Sequence, residues 1–173
     1  MRRYRIGAPE LLIVLGAVLF VVVLAIAAVA EGDIRWLHFF QAFMYIACVA
    51  LAINQNRWGY FVGISAAGFW DYGSLFVNAF FMNGVREIAR WTSTGRIERP
   101  DQLIAVPAWI GNLLIVIGCV WAYWRHVQSR RHDVWRFLLA FALTSGFFAA
   151  DMAIFQPRYL SMFPRALHPR WPR

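Results

Sequence analysis

Long apolar blocks alternate with short polar connections along the chain. From Leu11 to Ala30 there is no charged or strongly polar side chain. At about 1.5 Å per residue that stretch suffices to cross a hydrocarbon core of about 30 Å. The apolar core of a cleavable signal peptide is shorter, about 7–15 residues, and ends at a small-residue cleavage site. The block therefore predicts a retained first helix over 9–30, with Pro9 in its first turn, where its missing N–H costs nothing. Glu31-Gly32-Asp33 makes a polar turn, and a second apolar block predicts a helix over 36–53. After Asn54-Gln55-Asn56-Arg57 a third helix is expected over 58–82, then a fourth over 104–124 and a fifth over 135–155.

The segments outside these blocks read differently. Residues 84–100 are polar and charged, and within them Val85 to Trp91 has the spacing of a short interfacial helix with Trp91 at head-group level. Residues 156–173 carry Pro157, Pro164, Pro169 and Pro172 with four arginines. Proline at that density breaks a helix, so this tail is expected on the membrane surface and not through it. No internal repeat is evident. The fold class that follows is an all-α integral membrane protein, one domain over 1–173, with five helices in a compact bundle.

Composition sharpens this reading. Of 173 residues, 61% are hydrophobic and 15% charged, against about 45–50% and about 25% in soluble domains. A soluble particle of this size has too little interior to hide the excess. The net charge of +8 would point to nucleic acid in a soluble domain. Here the basic residues sit in connections and the tail, where they meet anionic lipid head groups, and no nucleic-acid partner is expected. All seventeen basic residues are arginine, and a chain without lysine has no Schiff-base chemistry. With the N-terminus in the cytoplasm, Arg57, Arg125, Arg130, Arg131 and Arg136 join Arg2, Arg3 and Arg5 inside, while the remaining arginines lie outside. The basic start opposed to an acidic first turn favours that orientation in a bacterial inner membrane, with the C-terminus outside.

Ionisable groups inside apolar blocks mark candidate chemistry, because a charge in hydrocarbon is costly. Asp71 lies near the middle of the third block. At 100° per residue Tyr60, Ser74 and Asn78 share its side, a polar stripe that has to face protein or a wet cavity. Asp151 lies near the end of the fifth block. Antiparallel threading brings it to one leaflet with His38, Gln41, Asn78 and Asn112, a set able to form a polar vestibule above Asp71 under the Asn83–Gln102 segment. The alternative is that Asp71 is structural, hydrogen-bonding helices together. Gly59-x-x-x-Gly63, followed by Gly68, permits close helix approach.

No metal site is expected: neither H-x-x-x-H nor E-x-x-H spacing supports His38, Asp71 or Asp151, and Cys48 and Cys119 read as small buried hydrophobes. No cofactor is expected either; a bound lipid is compatible with the sequence. Three functional classes follow: a protein that binds or moves a small solute or proton at Asp71; an accessory subunit of a larger membrane complex, or a homo-oligomer, contributing helices and a surface tail; or an intramembrane enzyme using Asp71 and Asp151 as acid and base on a lipid-like substrate. The last requires the two carboxyls to converge.

Overall fold

The structure is a computed structural model that describes residues 6–128 and 131–162. All regular structure among them is helical. Helix α1 (Ala8–Ala30) is followed by a 3-10 turn (Gly32–Ile34), α2 (Arg35–Ile53) and α3 (Arg57–Tyr72). After a π-helical turn (Gly73–Val77) come α4 (Phe80–Thr94), α5 (Pro100–Leu103), α6 (Ala105–His126), α7 (Asp133–Phe155) and α8 (Pro157–Leu160). Four stretches are long and apolar enough to cross a membrane: Ala8–Ala30, Gly32–Ile53, Pro100–His126 and Asp133–Phe155. The surface tail expected over 156–173 begins with α8, and its remainder lies outside the described residues.

The third block departs from the expected single helix over 58–82. Its α-helix covers only 16 residues and buries Gly59, Tyr60, Phe61, Gly63, Ser65, Ala66 and Ala67, mostly small or polar groups. It widens at Gly73, where the Asn78 N–H bonds back to the Gly73 carbonyl, and then breaks. Asn78 Oδ1 accepts the Phe80 N–H at 3.0 Å, capping the next helix. Ala79 turns the chain with φ of 54°. Phe80, Phe81 and Met82 therefore belong to α4, and the interfacial segment expected over 84–100 is helical over Phe80–Thr94. A left-handed alanine costs about 1 kcal/mol that glycine does not incur. Ala79→Gly is accordingly expected to raise unfolding stability by about 0.5–1 kcal/mol, read as the thermal transition of the detergent-solubilised protein.

The ends of the helices show how the chain is threaded. Glu10, in the first turn of α1, meets His126 at the end of α6, and Arg57 at the start of α3 meets Asp133 at the start of α7. At the opposite end Asp33, between α1 and α2, holds Gln156 and Arg158 beyond α7. Phe40 near the start of α2 stacks on Phe155 at the end of α7. α1, α3 and α7 thus run one way, α2 and α6 the other.

Packing is organised around α3, which lies against α2, α6 and α7, while α1 closes the bundle against α6 and α2. The α1–α6 seam is built from small residues. A Cβ on Gly16 would stand 2.5 Å from the Gly111 carbonyl oxygen, and one on Gly111 2.9 Å from that of Gly16. Buried Ala108, Gly111, Ile115, Gly118 and Ala122 repeat along α6 at three- and four-residue spacing, and the small ones let two backbones approach where Leu or Val would hold them apart. The outer surface is apolar: Leu11, Leu15, Val18, Val22 and Ile26 of α1 and Leu138, Leu139 and Leu143 of α7 are exposed. A contiguous apolar exterior of this kind marks a surface that contacts membrane or protein.

Candidate functional site

Asp71 sits in the last turn of α3, just before the π-helical turn, and its carboxylate is half-buried. Its Oδ1 accepts a 3.0 Å hydrogen bond from Asn112 Nδ2. Asn112 is fully buried on α6, and its own Oδ1 has no partner. Tyr45, on α2 and 1% exposed, completes the group, its phenol within electrostatic range of Asp71. That hydroxyl also donates weakly, at 3.5 Å, to the Ala66 carbonyl. A carboxylate, an amide and a phenol from three helices thus meet at one point. Phe20 stacks obliquely on Tyr45 at 4.4 Å and meets Trp70 edge-on at 5.0 Å, so aromatic rings wall the group on the α1 side.

The site is open on one side. Gly68, one turn before Asp71, is exposed, and a Cβ there would meet nothing within 4 Å; the same holds at Gly73. Gly59 and Gly63 close against neighbours, Gly59 on Leu51 and Ala52 of α2 and Gly63 between the thiols of Cys48 and Cys119. Gly68 therefore takes no part in the helix packing expected of it. Ser74 is buried beneath the site and donates to the Asp71 backbone carbonyl at 3.1 Å. π-helical turns such as the adjoining Gly73–Val77 are frequent at functional sites.

The other expected site residues have other partners or none. His38 Nδ1 and Gln41 Oε1 pair with each other at 3.1 Å on α2. Asn78 is exposed and occupied as the cap of α4. Tyr60 is fully buried near the far end of α3, its hydroxyl without a partner, on the side of Glu10. Asp151 is 4% exposed and both its oxygens lack partners. It follows Phe148 by one turn on α7, and Phe148 stacks on Phe69, two residues from Asp71 and so on nearly the opposite face of α3. Asp71 turns toward α6 and Asp151 lies on the α7 side.

Three polar centres escape a reading of the blocks one at a time. Glu10 is 2% exposed; its Oε2 accepts the Gly7 N–H and its Oε1 lies 2.8 Å from His126 Nε2. Asp133 accepts from Arg57, Arg136 and Tyr123 and ties the starts of α3 and α7 to the end of α6. Glu87, buried on α4, accepts the backbone N–H groups of Arg99 and Glu98 and a guanidinium N–H of Arg90. It folds the 95–99 connection back onto α4, while Gly84 closes on the Gln102 carbonyl. Acids in the first turns of α1 and α7 are legible as helix-start signals; their partners are not.

The Arg99 N–H, helped by the Glu98 N–H and the nearby arginine charges, holds the Glu87 carboxyl below the ordinary glutamate range. A depressed folded value means that this stabilisation is complete above the ordinary glutamate pKa and is lost as pH falls through the lowered one. Protease cleavage within 95–99 is therefore expected to be slow at neutral pH and faster in acid. In Glu87→Gln it is expected to be fast at both, and unchanged cleavage in that variant contradicts the assignment.

Among the described residues no group of three or more His, Cys, Asp or Glu side chains is placed to hold a metal ion. Compared with protein-family models, curated proteins and solved structures, the chain matches none.

Proposed function

We propose that this is a five-span membrane protein that binds or translocates a small solute or proton at Asp71, with Asn112 and Tyr45 as its partners. The observation that carries the reading is the accessible carboxylate: Asp71 is only partly buried beside Gly68, where a Cβ would meet nothing, yet bonded to a fully buried amide whose oxygen lacks a partner. Hydrocarbon does not tolerate such a surface, so it faces water or another polar group. An unpartnered Asn112 oxygen wants a donor, and a hydrated proton or a solute N–H or O–H supplies one. The threading supports the fifth span. α2 ends on the side where α1 begins and α6 starts on the other, which supports a crossing by α3 and its π-helical turn. Placing the Arg57–Arg125–Arg131–Arg136 end in the cytoplasm follows the basic-connection rule.

The same open face supports a second reading, in which the chain is a subunit of a larger membrane complex and a partner helix covers Gly68 and Asp71. Reconstitution of the purified chain in vesicles separates the two. Uptake that needs the lone chain and is lost in Asp71→Asn supports the solute or proton reading. No uptake by the lone chain, with a stoichiometric partner retained on mild solubilisation, supports the subunit reading.

A further inference from the structure

α6 and α7 both pack on α3 but scarcely touch each other. Near the end of α6 and the start of α7 this leaves a cavity of about 450 Å³ open to the outside of the bundle. Its lining includes Phe61 and Ile64 of α3, Val120 and Trp124 of α6, and Phe137 of α7, with Asp133 its one charged residue. The volume lies within the range of about 300–1,000 Å³ typical of small-molecule sites. It is too small for a helix, which is about 10 Å across.

Charge says what fits. Asp133 is saturated: Oδ1 accepts from Arg57 and Arg136, each at 2.8 Å, and Oδ2 from the Tyr123 hydroxyl at 2.9 Å. Two guanidiniums on one carboxylate leave a net positive charge at that end of the groove. Arg125 and Arg131, both exposed, add to it, and Asp133 is the sole acid between positions 121 and 136. A guanidinium has five N–H donors, so Arg136 can serve a phosphate as well as Asp133. The exposed Trp124 and Trp135 mark head-group depth beside it.

We infer that this groove is a binding site for one anionic glycerophospholipid, an acyl chain lying between α6 and α7 over Ile64 and the phosphate resting against the Arg57–Arg136 end. The site is separate from Asp71 and stands whether or not Asp71 binds a solute. Neutral lipid shares the chain but not the net negative head group; inorganic phosphate shares the charge but not the chain.

The test uses the full chain purified in mild detergent, with phosphatidylglycerol, phosphatidylcholine of the same acyl chains, or inorganic phosphate added. Retained lipid is read by native mass spectrometry and stability by thermal unfolding. One phosphatidylglycerol per chain is expected to survive purification and raise the transition temperature, with phosphatidylcholine weaker and phosphate without effect. Val120→Trp, which fills the groove from an already exposed position, is expected to lose the bound lipid while remaining folded. Arg136→Gln leaves Asp133 with Arg57 and Tyr123 and is expected to lower the preference for phosphatidylglycerol roughly fivefold. Equal retention of both lipids, an effect of phosphate equal to that of phosphatidylglycerol, undiminished binding in Val120→Trp, or a groove occupied by a second copy of the chain each overturns the proposal.

Discussion

Asp71→Asn is expected to reduce solute or proton uptake by reconstituted protein to the level of protein-free vesicles, while the yield of folded protein and its thermal transition stay close to wild type. The exchange is nearly isosteric, and the new amide oxygen can still accept the Asn112 N–H that Asp71 accepts at 3.0 Å. What disappears is the group that ionises, which is the whole of the proposed chemistry and little of the packing. Asn112→Ala is the informative contrast. It removes the donor to Asp71 and leaves a gap at a fully buried position, with an expected stability loss of about 1–3 kcal/mol. A purely structural Asp71 would give the opposite pattern, with Asp71→Asn unfolding the protein or leaving transport intact.

The second large effect concerns the seam on which the bundle is built. Gly16→Leu is expected to destabilise the protein by about 3 kcal/mol or more. Its Cβ alone would stand 2.5 Å from the Gly111 carbonyl oxygen and 2.9 Å from the Ile115 nitrogen. Both are helix backbone atoms, so α1 and α6 have to separate. Gly68→Ala is the control: it meets nothing within 4 Å and, by helix propensity, is expected to be about 0.5–1 kcal/mol more stable than wild type. Size-exclusion profile and thermal unfolding in detergent check both, and equal behaviour of the two variants contradicts the packing account.

The apolar blocks made the membrane class and four of the helices legible, because their extent follows from the absence of charge alone. The end of the third was hidden. Its helix is central, so it carries small and polar residues in place of an apolar run, and its break depends on an Asn78 cap and a left-handed Ala79 that no periodicity announces. The G-x-x-x-G pattern drew attention to α3, whereas an equally close backbone approach joins Gly16 to Gly111 within blocks that read as uniformly apolar. Asp71 was visible as a lone carboxylate at mid-block. Tyr45 shares a buried stripe of α2 with Gln41 and Cys48 at helical spacing, which is a signal, but its meeting with Asn112 and Asp71 belongs to the three-helix junction. Of the vestibule expected from depth arithmetic, the hydrogen bond from Asn112 to Asp71 is the part seen here; equal depth leaves the direction of each side chain undetermined. Asn78 is spent on a cap, His38 and Gln41 pair locally, and Asp151 is buried without a partner.

The most direct measurement is charge displacement by the reconstituted protein on a solid-supported membrane, recorded as solutes or protons are supplied in rapid jumps. An electrogenic transient in the wild type, abolished in Asp71→Asn and retained in Gly68→Ala, is the result predicted here. Equal transients in wild type and Asp71→Asn, or none from a folded wild-type chain across the solutes and pH jumps tried, would contradict a working site at Asp71.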